Sequence, residues 1–132
     1  MAGKATKVVG LIASTGLAAG IALAAAPAAQ ALPQVETGKS GMCSAGAWWE
    51  LSLEREFRVL EIDMDIEGAR PGERWTFTVT HNGKAKKTIR TVADYEGDVD
   101  AQWMVRDRNG TDRVVVKARS ASGQTCVASG RL

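Results

Sequence analysis

Among 132 residues there are one histidine, two cysteines, three prolines and a single tyrosine. Each scarcity excludes something. With only His81, and no second cysteine or histidine at ligand spacing beside Cys43 or Cys126, a zinc-type site has no donor set. His81 precedes the Asn82-Gly83 signal of a tight hairpin, where exposure is expected, so a base-activated nucleophile has no evident partner. After the first 31 residues there is no apolar run long enough to cross a bilayer and no convincing 3.6-residue period, which leaves neither a membrane span nor a helical core.

What is present begins with the compartment. Lys4 and Lys7 precede an apolar run from Val8 to Ala26, broken at Pro27 and followed by Ala29-Gln30-Ala31, the small-x-small pattern of a cleavage site. Residues 1–31 therefore read as a signal peptide and the protein as secreted. Removing Lys4 and Lys7 lowers Lys+Arg from 17 to 15 against 15 Asp+Glu. A neutral domain lacks the basic footprint of a nucleic-acid binder.

In an exported chain, Cys43 and Cys126 are most simply one disulfide. Closing so long a loop stabilises by roughly 4.5 kcal/mol in the chain-entropy model. Residues 32–42 (LPQVETGKSGM) are polar, carry Gly and Pro, and are expected to form a flexible linker. From residue 43 to residue 132 the period is two.

Leu51 and Leu53, then Leu60, Ile62, Met64 and Ile66, then Trp75, Phe77 and Val79 alternate with polar residues. Weaker alternation around Lys86 to Val92 is followed by Val99 to Val105, Val114 to Ala118, and Cys126 to Leu132. Gly68-Ala69-Arg70-Pro71-Gly72, Asn82-Gly83, Asn109-Gly110 and Ser122-Gly123 supply the turns. About seven short strands with this spacing predict an antiparallel immunoglobulin-like β-sandwich, with an open barrel as the alternative. The cysteines lie near the two ends of the domain, not on the strands that carry the usual immunoglobulin bridge, so the likeness is architectural.

The Ala-rich leader, CSAGAWWELSLE, RWTFTVTHNG and the late SGQTC resemble the short secreted proteins of actinobacteria that carry one end-to-end disulfide and an immunoglobulin-like sandwich. The resemblance spans the whole mature chain. It implies the bridge and the fold, and it brings no activity, cofactor or binding residue with it.

Four carboxylates fall in the seven residues DYEGDVD, from Asp94 to Asp100. An EF-hand loop needs Gly at its sixth position and Glu at its twelfth. Here Gly97 stands fourth and Val105 twelfth, so the match fails and a turn entering a strand is expected. Asp98 and Asp100 then point outward, where Asp63 or Asp65 of a neighbouring strand could join them in a calcium site. On stiff strands those acids are weak candidates.

Assigning the strands to sheets in immunoglobulin order adds a charge pattern. One sheet, Trp48 to Glu67 with Asp98 to Val105, holds nine carboxylates and two arginines, a net of −7. The other, Trp75 to Val92 with Thr111 to Leu132, holds eight cations and one acid, a net of +7. Solubility alone accounts for charged outer faces. The functional reading is a non-enzymatic interaction module of the cell envelope. In it Lys86, Arg90, Arg113, Lys117 and Arg119 meet an anionic cell-wall polymer or a protein partner, or opposite faces of two copies associate in a salt-sensitive way.

Trp49, Trp75 and Trp103 sit in core phase. Trp48 points outward and is the candidate aromatic contact, as in a carbohydrate-binding sandwich. A small hydrolase would need a cleft with two carboxylates in opposed environments, which short loops do not supply.

Overall fold

The alternation reaches the tertiary level as two layers. A computed structural model describes residues 35–132; the expected signal peptide, 1–31, and positions 32–34 lie outside the described residues. Among those described, the strands are β1 (Val35–Met42), β2 (Trp48–Glu56), β3 (Val59–Glu67), β4 (Arg74–His81) and β5 (Lys84–Ala85), followed by β6 (Ile89–Val92), β7 (Val99–Arg106), β8 (Arg113–Ser120) and β9 (Thr125–Arg131). Sheet A has the order β1-β2-β3-β7. Sheet B has the order β5-β4-β8-β9, with β6 also paired to β4.

All pairings are antiparallel. The strands expected to share a sheet do so: β2, β3 and β7 on one side, β4, β6, β8 and β9 on the other. The order β2-β3-β7 against β4-β8-β9 is the A-B-E against C-F-G arrangement of an immunoglobulin sandwich.

Period two explains the core. Along β3, Leu60, Ile62, Met64 and Ile66 are fully buried while Glu61, Asp63, Asp65 and Glu67 face outward. Leu51 and Leu53 of β2 and Val99, Ala101 and Trp103 of β7 extend that layer, which meets Trp75, Phe77, Val79, Val114, Val116 and Ala128 of sheet B. Phe77 stands between Trp75 and Trp103, edge-on to the latter at 6.3 Å between ring centres. The Trp103 indole N–H donates to the Lys87 carbonyl at 2.7 Å, so a core ring has its polar atom satisfied.

The lead segment differs from expectation. Val35–Met42 is not a linker but an edge strand, in register with β2 from Val35 opposite Arg55 to Met42 opposite Trp48. A backbone ladder needs N–H and C=O groups and no apolar pattern, so a polar stretch can cover the free edge of β2. Gly41 is required in this pairing: a Cβ there would lie 2.7 Å from the Trp49 ring. The weak strand after the hairpin also divides, into β5 and β6.

The disulfide is present, Cys43 to Cys126, with Cα atoms 4.4 Å apart and a sequence separation of 83. It joins the turn entering β2 to β9, and so ties sheet A to sheet B. Gln124 reinforces the same end, its Oε1 accepting the Ala47 N–H at 3.0 Å.

Candidate functional site

Each sheet turns one face to solvent, and the two faces differ in chemistry. On sheet B the strands β4, β5, β6, β8 and β9 contain no aspartate or glutamate. Register sets Arg90, Thr76, Arg119 and Thr125 side by side in one rung, and Thr78, Lys117 and Val127 in the next. Arg74, Thr76, Thr78, Lys117, Arg119, Thr125 and Val127 line a shallow depression of about 500 Å³, with Arg90 beside it on β6. Two guanidinium forks and an ammonium among threonine hydroxyls, with no competing acid on the strands, are donors suited to carboxylate, sulfate or phosphate.

The structure thus brings Arg90, Lys117 and Arg119 together. Arg113 shares their face but stands roughly 13 Å along β8 from Lys117, opposite Arg131. Lys86 follows β5 and is half-buried, its backbone N–H bonded to the Val79 carbonyl at 2.9 Å. Arg74, Thr76 and Thr78 were absent from the expected set. Their signal is the alternation of β4 itself, which puts Arg74, Thr76, Thr78 and Thr80 on the side opposite Trp75, Phe77 and Val79.

The outer face of sheet A is a grid of carboxylates. Glu50, Asp65 and Asp100 are direct cross-strand neighbours, as are Ser52, Asp63 and Gln102, and then Glu54, Glu61 and Met104. The Gln102 amide donates to Glu61. Burial, then the neighbouring Glu61, Asp65 and Glu54, pushes Asp63 up to about 6. Burial, then Asp100 and Glu50, raises Asp65. Among the described residues the ion pairs involve Arg55, His81, Asp107 and Asp112, so none reaches this grid.

Of the weak metal candidates, only Asp65 and Asp100 lie directly opposite each other. Asp63, Asp65 and Asp100 stay on the strands, while Asp98 belongs to the loop before β7. There its carboxylate lies within 4.8 Å of those of Asp94 and Glu96. Asp94 Oδ1 already accepts the backbone N–H groups of Glu96 and Asp98, both at 2.9 Å, which explains the grouping as a turn. Gly97 (φ +85°) closes that turn against the Ala69 carbonyl, where a Cβ would collide. Trp48 is 40% exposed, flanked across strands by Met42 and Glu67 and not covered by β1.

The hairpin histidine departs from expectation. His81 is buried, with Nε2 2.7 Å from Asp112 Oδ1. Asp112 also accepts from Arg55 at 2.9 Å and from the Asn82 amide at 3.2 Å, while Arg55 donates to Asp107 Oδ1 and the Leu132 carbonyl, each at 2.9 Å. Burial alone would raise the Asp112 carboxyl; bonds from Asp107, His81, Arg55 and Asn82 overcome it and hold the group well below the usual carboxylate range. The network joins β2 of sheet A to β4 of sheet B at the end opposite the disulfide. Its bonds make it a clamp.

No protein-family model, curated protein or solved structure matches this chain.

Proposed function

We propose that the protein is a non-enzymatic interaction module of the cell envelope, binding an anionic polymer on the outer face of sheet B. The observation that carries this reading is the acid-free rung Arg90, Thr76, Arg119 beside Lys117, with Thr76, Arg119 and Lys117 lining a depression on the outer face of the sheet. Charge-assisted bonds to repeated anions suit such a row, because each guanidinium presents paired donors at strand spacing. The disulfide and the resemblance to short secreted actinobacterial proteins support an extracytoplasmic place.

Co-sedimentation of the oxidised protein with purified cell-wall material tests it. Pelleting at low salt should disappear at high salt, and Lys117→Glu with Arg119→Glu should weaken it about tenfold or more. Undiminished pelleting of that variant removes the assignment to sheet B.

A second reading is favoured by the unpaired carboxylate grid: the acidic face of one copy against the basic face of another. Analytical ultracentrifugation separates the two, since association without cell-wall material that vanishes in salt belongs to this reading alone.

A further inference from the structure

The end of the sandwich opposite the disulfide combines strain, apolar exposure and unpaired positive charge. Glu56 and Val59 pair across a two-residue turn whose first residue is Phe57. Phe57 has φ +54° and is 74% exposed. Hairpins favour glycine at such a position, because an L side chain there crowds the backbone. The chain keeps a large aromatic where glycine would relieve the strain and remove the exposed ring. Val59, in the rung that closes the turn, and Met104, opposite Glu61 two rungs further along, are also exposed.

The charges around the ring follow from the clamp. Asp107 is fastened twice, its backbone N–H to the Arg58 carbonyl and its carboxylate to Arg55, each at 2.9 Å. With Asp107 directed to Arg55, alternation leaves Arg106 and Arg108 outward, and both are exposed, as is Arg58 in the turn. Arg55 takes up Asp107 and Asp112, so Arg58, Arg106 and Arg108 have no carboxylate partner among the described residues. Glu56, at the base of the turn, is an exposed acid within this group.

We propose that this end docks the protein end-on to an anionic phospholipid surface, Phe57 entering the interface and Arg58, Arg106 and Arg108 meeting headgroup phosphates. A convex apolar tip ringed by arginines fits a soft layer that is apolar within and anionic at its surface. A soluble polyanion would use the arginines and leave Phe57 without a role. End-on approach also keeps the far part of the carboxylate grid away. Asp63 and Asp65, four and six residues up β3 from Val59, stand roughly 13 and 20 Å back, beyond a Debye length of about 8 Å, whereas Glu54 and Glu61 lie nearer the tip. This surface is separate from the outer face of sheet B and does not depend on the reading given for it.

Sedimentation of the oxidised protein with vesicles tests the proposal, using phosphatidylglycerol mixed into phosphatidylcholine against phosphatidylcholine alone. Binding is expected to the anionic vesicles only. Phe57→Gly should lower it about tenfold while the melting temperature stays the same or rises, since glycine suits the positive φ. Arg106→Gln and Arg108→Gln should each lower it about fivefold, Phe57→Trp should retain it, and Lys117→Glu with Arg119→Glu should leave it unchanged. Absence of binding overturns the proposal. So does binding indifferent to Phe57→Gly, equal capture by dextran sulfate beads with and without that substitution, or loss in the Lys117/Arg119 variant.

Discussion

The two outer faces arise from the same two-residue alternation and handle like charge in opposite ways. On sheet B each cation of the central rungs has a neutral neighbour, as in Arg90, Thr76, Arg119, Thr125, and only at the end does Arg113 face Arg131. On sheet A the carboxylates are immediate neighbours, Glu50 to Asp65 to Asp100 and Glu54 to Glu61. Like charges directly opposite each other destabilise a sheet. The acidic face therefore holds electrostatic stress in the folded state, visible in the raised Asp63 and Asp65, whereas the basic face spaces its cations and presents them with hydroxyls between.

Separating the sheets should have the largest effect. Cys43→Ser with Cys126→Ser removes the covalent tie between them and is expected to cost about 4.5 kcal/mol, read as a fall in the urea midpoint. The tie at the other end comes next. Asp112→Ala leaves Arg55 and buried His81 without their shared acceptor, and should cost about 3 kcal/mol in the same measurement. A loss of less than about 1 kcal/mol would show that the network adds little to holding the two sheets together.

The acidic face itself is tested through pH. Asp63 titrates near 6 in the fold and near 4 in an unfolded chain, so the folded state binds its proton more tightly. Stability from this group rises as pH falls from about 6 towards about 4, and the full penalty is present above 6. Asp63→Asn should raise stability at pH 7.5 by about 1 kcal/mol after allowance for solvent screening, and flatten the melting temperature between pH 4 and 6. Asp112 has the opposite sign: its contribution is complete above about pH 4 and is lost as acid protonates it. On the basic face, Lys117→Glu should change stability by no more than about 0.5 kcal/mol, although it weakens polymer binding.

Much of this arrangement is legible in order of residues. Leu60, Ile62, Met64 and Ile66 against Glu61, Asp63, Asp65 and Glu67 specify both a strand and its outward face, because successive side chains must point to opposite sides. β1 was illegible: an edge strand is held by backbone groups that every residue carries, and VETGKSGM has no apolar phase to reveal it. His81 was misleading for a related reason. A polar residue at a hairpin reads as exposed until its acceptor is known, and Asp112 comes from 31 positions away.

Residue order alone settles the alternating strands, the pair of cysteines and which charges alternate outward, since these rest on local period, cysteine count and residue identity. The sheet each strand belongs to, and so the sign of each face, follows only once immunoglobulin order is assumed. Tertiary structure alone decided that Asp65 lies between Glu50 and Asp100, that Arg55 gathers Asp107 and Asp112, and that Phe57 stands exposed beside Arg58, Arg106 and Arg108. Those are matters of register and of which loops share an end. Charge falls off with distance and hydrogen bonds act only in contact, so neither has an energy until the fold sets the separation.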